Sequence, residues 1–142
     1  MTVTEESGEA IFRDVIDVDL VGVWNTCRAA LPHLRAGGRG GSMVLTSSTA
    51  GIKGYTGASC GAVGYTAAKH GVIGIMRSLA NALAKENIRV NTIHPTGVNT
   101  AMIMNPLMEK WIEHQEDFEA YLSNPLPVAL LEPEDIANTV SF

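Results

Sequence analysis

Tyr65 and Lys69 stand four residues apart in the stretch Gly64-Tyr65-Thr66-Ala67-Ala68-Lys69, where a long apolar-periodic segment opens. On a helix, residues at that spacing are neighbours one turn apart. A fixed ammonium beside a phenol stabilises the phenolate and makes a poor acid usable in proton transfer near neutrality. Seventeen positions upstream of Tyr65, Thr46-Ser47-Ser48 ends a hydrophobic run and offers the Ser48 hydroxyl at a strand end. Phenol, ammonium and hydroxyl together suit a centre that reduces a carbonyl or oxidises an alcohol.

The elements that must position these groups follow from periodicity. Residues 7–36 carry Ile11, Phe12, Val15, Ile16, Val18, Val23, Cys27 and Leu31 at three-, four- and seven-residue spacings, which predicts one long amphipathic helix. Pro32 should weaken or kink its last turns, and Gly37-Gly38 should stop it. Ser42-Met43-Val44-Leu45-Thr46-Ser47 is a short apolar run between glycines and hydroxyls and predicts a buried strand. A loop rich in glycine, alanine and serine follows, and a second helix is expected over about 64–85. Its buried side is Val72, Ile73, Met76, Leu79, Ala80 and Leu83. Ala67, Ala68, Gly71 and Gly74 keep another part of its surface flat, as if something large packed closely there. Ile88 to Ile93 reads as a second strand, ended by Pro95.

Helix, strand, helix and strand joined by short loops predict an α/β unit with parallel strands. Ligands of open α/β sheets bind beyond the carboxyl ends of strands, which here carry Thr46-Ser47-Ser48 and His94-Pro95-Thr96-Gly97. After Thr100, Met102, Met104, Leu107, Met108, Trp111, Ile112, Phe118, Tyr121 and Leu122 alternate with charged residues. That pattern suits either a helical lid over an apolar substrate or a peripheral helix packed on the core. A last helix is expected to start near Glu134.

With 142 residues, 46% hydrophobic and 18% charged, the composition is that of one globular domain. A net charge of −5 argues against nucleic acid and anionic membrane as partners. No apolar run is long enough for a membrane span, and the acidic N-terminus does not read as a signal peptide. Cys27 and Cys60 form neither a disulfide framework nor a metal-spaced cluster, so no metal is expected. Two reduced thiols suit a cytoplasmic protein.

The ordered set of Ser48, Tyr65-x-x-x-Lys69, Arg89-Val90-Asn91 and Pro95-Thr96-Gly97-Val98-Asn99-Thr100 resembles the short-chain dehydrogenase/reductase family over almost the whole chain. The wording Leu45-Thr46-Ser47-Ser48-Thr49-Ala50-Gly51, Ala67-Ala68-Lys69-His70-Gly71-Val72 and His94-Pro95-Thr96-Gly97-Val98 is most similar to its actinobacterial, mycofactocin-associated, carveol-dehydrogenase-like members. The resemblance implies a partial Rossmann-type, doubly wound α/β sheet: about two strands and two long helices, plus a helical lid. One partial domain is expected over 1–142, with the core over 1–98, the substrate loop and lid over 99–131, and the start of a final helix over 132–142.

By the same resemblance, the chain would interconvert a secondary alcohol and a ketone with NAD or NADP, NAD being slightly favoured, on a small hydrophobic or terpenoid-like substrate. Tyr65 would exchange the proton and Ser48 would hold the substrate oxygen. Lys69 would support the phenolate and grip the nicotinamide ribose. Pro95, Gly97, Val98 and Thr100 would hold the carboxamide side. The flat faces of the two long helices would build a homo-oligomer.

Three departures stand out. No TGxxxGxG loop for the pyrophosphate precedes the first helix. The sequence also stops inside its last helix, before the final strand and loop that usually close such a sheet. It is therefore expected to be a fragment without the N-terminal cofactor-binding segment or the C-terminal end of the fold. The glycines of Thr56 to Gly64 do not replace that loop and are assigned to the active-site loop. Asp19 stands where the family usually carries an asparagine in a proton relay. A carboxylate cannot donate as an amide does, so it either disturbs that relay or is a solvated helix residue. A reading from a different class follows from the missing loop: a catalytically silent chain that serves as a dimerisation or interaction module.

Overall fold

The computed structural model describes residues 6–54, 59–112 and 127–141. The chain divides into two compact units, Met1–His94 and Pro95–Phe142.

In the first unit, α1 (Glu6–Ile16) runs into a π-helical turn (Asp17–Val21) and then α2 (Gly22–Ala36). The expected single helix is therefore interrupted, although the residues flanking the turn, Ile16 and Gly22, both keep right-handed helical dihedrals. The Gly22 N–H donates to the Asp17 carbonyl, the wider ring that defines a π turn. Apolar spacing cannot reveal such a turn, because the stripe continues on both sides of it. Pro32 sits inside α2, and the helix continues through it to Ala36.

Strands β1 (Gly41–Thr46) and β2 (Ile88–Ile93) pair in parallel, with Met43 opposite Val90 and Thr46 opposite Ile93. The parallel order and both strand positions agree with the sequence expectation. The burial of β1 does not: Met43 and Leu45 are buried while Ser42 and Thr46 are exposed. Successive side chains of a strand point to opposite faces, and here only one face is covered.

Helix α3 (Cys60–Leu83) begins four residues before the expected start. Ser59 caps it, its Oγ accepting from the Ala62 N–H at 3.2 Å. Tyr65 therefore lies inside the second turn. A short 3-10 turn (Ala84–Glu86) and Asn87, in the left-handed conformation at φ 57°, lead into β2. The core consists of Cys27, Met43, Leu45, Val72, Leu83, Ile88 and Val90, flanked by Leu20, Val23, Leu31 and Leu79. It joins α2 and α3 to the covered face of the sheet.

The close packing expected beside α3 is present, and its partner is the segment containing the π turn. A Cβ at Gly71 would lie 2.7 Å from Cδ1 of Leu20. Ala68 is fully buried, whereas Ala67 and Gly74 face outward.

In the second unit, α4 (Pro106–Ile112) and α5 (Pro133–Ser141) are the described helices. Val98 and Leu131 form an isolated parallel bridge. The lid segment expected to extend to Leu122 lies partly outside the described residues, as do residues 55–58 of the active-site loop. No helix among the described residues is long and apolar enough to cross a membrane.

Candidate active site

Lys69 is the centre of the site. It sits on α3 with its side chain only 10% exposed, yet it carries a charge that needs partners at that depth. Its Nζ lies 2.9 Å from Asp19 Oδ1. A longer contact of 3.5 Å reaches the Thr46 carbonyl at the end of β1. The same ammonium stands 5.3 Å from the centroid of the Tyr65 ring, within cation–π range. The i, i+4 spacing thus brings phenol and ammonium together on one helix face, and a carboxylate from the π turn completes the group.

Asp19 is not a solvated helix residue. The π turn places it against Lys69, and the small side of α3 at Gly71 admits the adjacent Leu20, which anchors that turn. Asp19 and Lys69 form an electrically balanced pair.

Ser47 and Ser48 are fixed beside the same helix. The Ser47 N–H continues the β ladder by donating to the Ile93 carbonyl at 2.9 Å, and its hydroxyl donates to the Lys69 carbonyl at 2.9 Å. Gly51 is required here, since a Cβ would come within 2.8 Å of that same carbonyl. Ser48 caps the 3-10 turn Thr49–Gly51, its Oγ accepting from the Ala50 N–H at 3.1 Å. The hydroxyl proton remains available for donation, and the bond it accepts makes it a stronger donor. The Ser48 carbonyl accepts from the Gly51 N–H at 2.9 Å and from His94 Nδ1 at 3.1 Å.

Pro95, Gly97, Val98 and Thr100 lie in the second unit. The Gly97 carbonyl accepts from the Leu131 N–H at 2.9 Å, and the Asn99 N–H donates to the Leu131 carbonyl at 2.8 Å. In a parallel bridge these flanking groups face the partner, so the N–H and C=O of Val98 itself lie on the other edge. Thr100 Oγ1 donates to the Val98 carbonyl at 3.4 Å. The Thr96 hydroxyl is buried without a hydrogen-bond partner.

Sequence reading missed the Asp19–Lys69 pair and the His94 contact. The second had a signal, because Thr46 opposite Ile93 in register sets the residues just beyond the two strands side by side. The first depends on a π turn, which leaves no such mark.

A family model described as enoyl-(acyl carrier protein) reductase matches residues 2–142. The crystal structure of a short chain dehydrogenase from Mycobacterium paratuberculosis bound to NAD superposes with a TM-score of 0.80 at 43% identity, covering 92% of this chain and 48% of that one. The chain belongs to the short-chain dehydrogenase/reductase family. The Rossmann-type fold expected from the sequence is the fold of these relatives. This dehydrogenase/reductase is also 48% identical, over 139 residues, to the (-)-trans-carveol dehydrogenase of Rhodococcus erythropolis, a match covering 92% of this chain and 49% of that protein. It resembles carveol dehydrogenase from Mycobacterium avium in complex with NAD, with a TM-score of 0.79 and 43% identity over 91% of this chain and 48% of that one. The chain spans about half the length of the curated relatives it matches.

Proposed function

We propose that these residues form the catalytic part of an NAD-linked oxidoreductase that interconverts a secondary alcohol and a ketone. The observation that carries the reading is Lys69, a buried ammonium held by Asp19 and the Thr46 carbonyl beneath the Tyr65 ring. When bound, the cofactor supplies hydride transfer. The chain supplies the proton and the positioning.

In that scheme Tyr65 gives its phenolic proton to the substrate oxygen in ketone reduction and takes it back in alcohol oxidation. Lys69 stands beside the phenol, and its third N–H is left to bind a ribose hydroxyl once Asp19 and Thr46 are satisfied. The Ser48 hydroxyl donates to the same substrate oxygen. Two features of the second unit fit a nicotinamide carboxamide: the unpartnered Thr96 hydroxyl, and the backbone groups of Val98 on the edge away from Leu131. Pro95 and Gly97 set that loop, and Thr100 completes its polar lining.

The relatives' names, two of them carveol dehydrogenases and two structures bound to NAD, support NAD as cofactor and a small apolar alcohol as substrate. Exposed Val18 and Trp24 on the first helical segment, with outward-facing Ala67 and Gly74 on α3, suit a homo-oligomer built on these helices. The buried thiols of Cys27 and Cys60 fit the cytoplasm. Calorimetric titration with NADH tests the reading: the scheme requires a Kd below about 1 mM. No heat of binding at higher concentrations favours the silent interaction module instead.

A further inference from the structure

We infer that His94 is a positioning residue for Ser48, an inference that rests on Ser48 as the hydroxyl holding the substrate oxygen. His94 directly follows β2, and its ring spans two neighbours. Nδ1 lies 3.1 Å from the Ser48 carbonyl, and Nε2 lies 2.9 Å from Thr92 Oγ1. A carbonyl only accepts, so the pairing assigns the ring proton to Nδ1 and makes the Thr92 hydroxyl the donor to Nε2. Both ring nitrogens are then engaged by protein, which leaves His94 no direct part in proton transfer.

The ring determines where Ser48 sits. The Ser48 carbonyl divides its two lone pairs between Gly51 N–H in its own turn and His94 at the end of the other strand. Ser47 is tied to β2 through the Ile93 carbonyl and to α3 through the Lys69 carbonyl. Among the described residues, His94 is the one hydrogen-bonded tie from β2 to Ser48 itself. Ser48 is in an extended conformation, φ −165° and ψ 166°, at the entry of a one-turn 3-10 helix. Rotation of its carbonyl would swing the hydroxyl away from the direction fixed by the Ala50 cap. A hydroxyl that must meet one substrate oxygen tolerates little such motion, since displacement by about 1 Å can cost about a hundredfold in rate.

Two substitutions separate this role from general support. Asparagine presents an amide N–H about where the imidazole carries Nδ1–H, whereas phenylalanine keeps the ring without any donor. Amide hydrogen exchange of the full chain reads the turn directly at Ala50 and Gly51, with the buried Val72 amide of α3 reporting global opening. His94→Phe should speed exchange at Ala50 and Gly51 by about tenfold and leave Val72 unchanged, and His94→Asn should restore protection. Unchanged exchange in His94→Phe, equal behaviour of both variants, or parallel acceleration at Val72 would each overturn the assignment.

Turnover of a secondary alcohol supplies the second arm. His94→Phe should lower kcat by about tenfold or more at unchanged KM for NAD, with His94→Asn close to wild type. A drop in kcat that asparagine does not rescue contradicts the inference. A wild-type chain that turns over no alcohol counts against the proposed function, and the exchange measurement still decides the role of His94.

Discussion

Asp19 Oδ1 lies 2.9 Å from Lys69 Nζ, joining a π turn in the first helical segment to the middle of α3. The contact explains three features together. Gly71 lets Leu20 approach, the π turn directs Asp19, and the buried ammonium acquires a counter-charge in the same step. The pair also means that the charge acting on Tyr65 is that of an ammonium already partly neutralised.

Breaking the pair from the acid side should destabilise the fold in proportion to what replaces the carboxylate. Asp19→Asn keeps an acceptor for Nζ, and a loss below about 1 kcal/mol is expected. Asp19→Leu leaves Lys69 with one long contact and should cost about 1–3 kcal/mol, less than a fully buried pair because the Asp19 side chain is 27% exposed. Urea midpoints of the two variants check the order. A leucine variant as stable as wild type would remove the pair from the account.

Two glycine substitutions should have opposite effects. Gly51→Ala places a Cβ 2.8 Å from the Lys69 backbone carbonyl, which cannot rotate away, and should cost about 1–3 kcal/mol. Gly74→Ala meets nothing within 4 Å in the interior of α3 and should stabilise by about 0.5–1 kcal/mol. Thermal unfolding of both variants beside wild type reads the two signs.

Arg35 and Glu86 form a bidentate pair, 2.6 Å at each nitrogen, between the end of α2 and the 3-10 turn before β2. Its hydrogen bonds and charge hold the Glu86 carboxyl below its ordinary value of 4.5. A carboxyl depressed in the folded state contributes stability above the unfolded value, and this is lost as pH falls through the folded one. The gap in Tm between wild type and Glu86→Gln should therefore be largest near neutrality and close as the pH falls through and below 4.5. High salt should narrow it at neutral pH, because the pair is solvent-accessible. A gap independent of pH would contradict the assignment.

Much of the site was legible because its signals are local. Tyr65 and Lys69 are one helical turn apart, Ser48 follows a strand that apolar run and glycines mark clearly, and the parallel order follows from a helical crossover between strands. The elements that escaped depend on contacts distant in sequence. The π turn at Asp17–Val21 is settled by Leu20 against Gly71 and Asp19 against Lys69, more than forty positions away. The start of α3 moved to Ser59 because a hydroxyl cap outweighed the glycines that follow it. His94 acquired its partner only when the register placed the ends of β1 and β2 side by side.

The central claim is that Tyr65, supported by Lys69, is the acid and base of an NAD-linked alcohol–ketone interconversion. Its most direct test follows NADH absorbance for the wild-type chain and Tyr65→Phe on a panel of small apolar secondary alcohols and ketones. Wild type should turn over a member of the panel, and Tyr65→Phe should lose at least about a hundredfold in rate with NADH binding retained. Equal rates in the two proteins, or a wild-type chain that binds no NADH and turns over nothing on the panel, would contradict it.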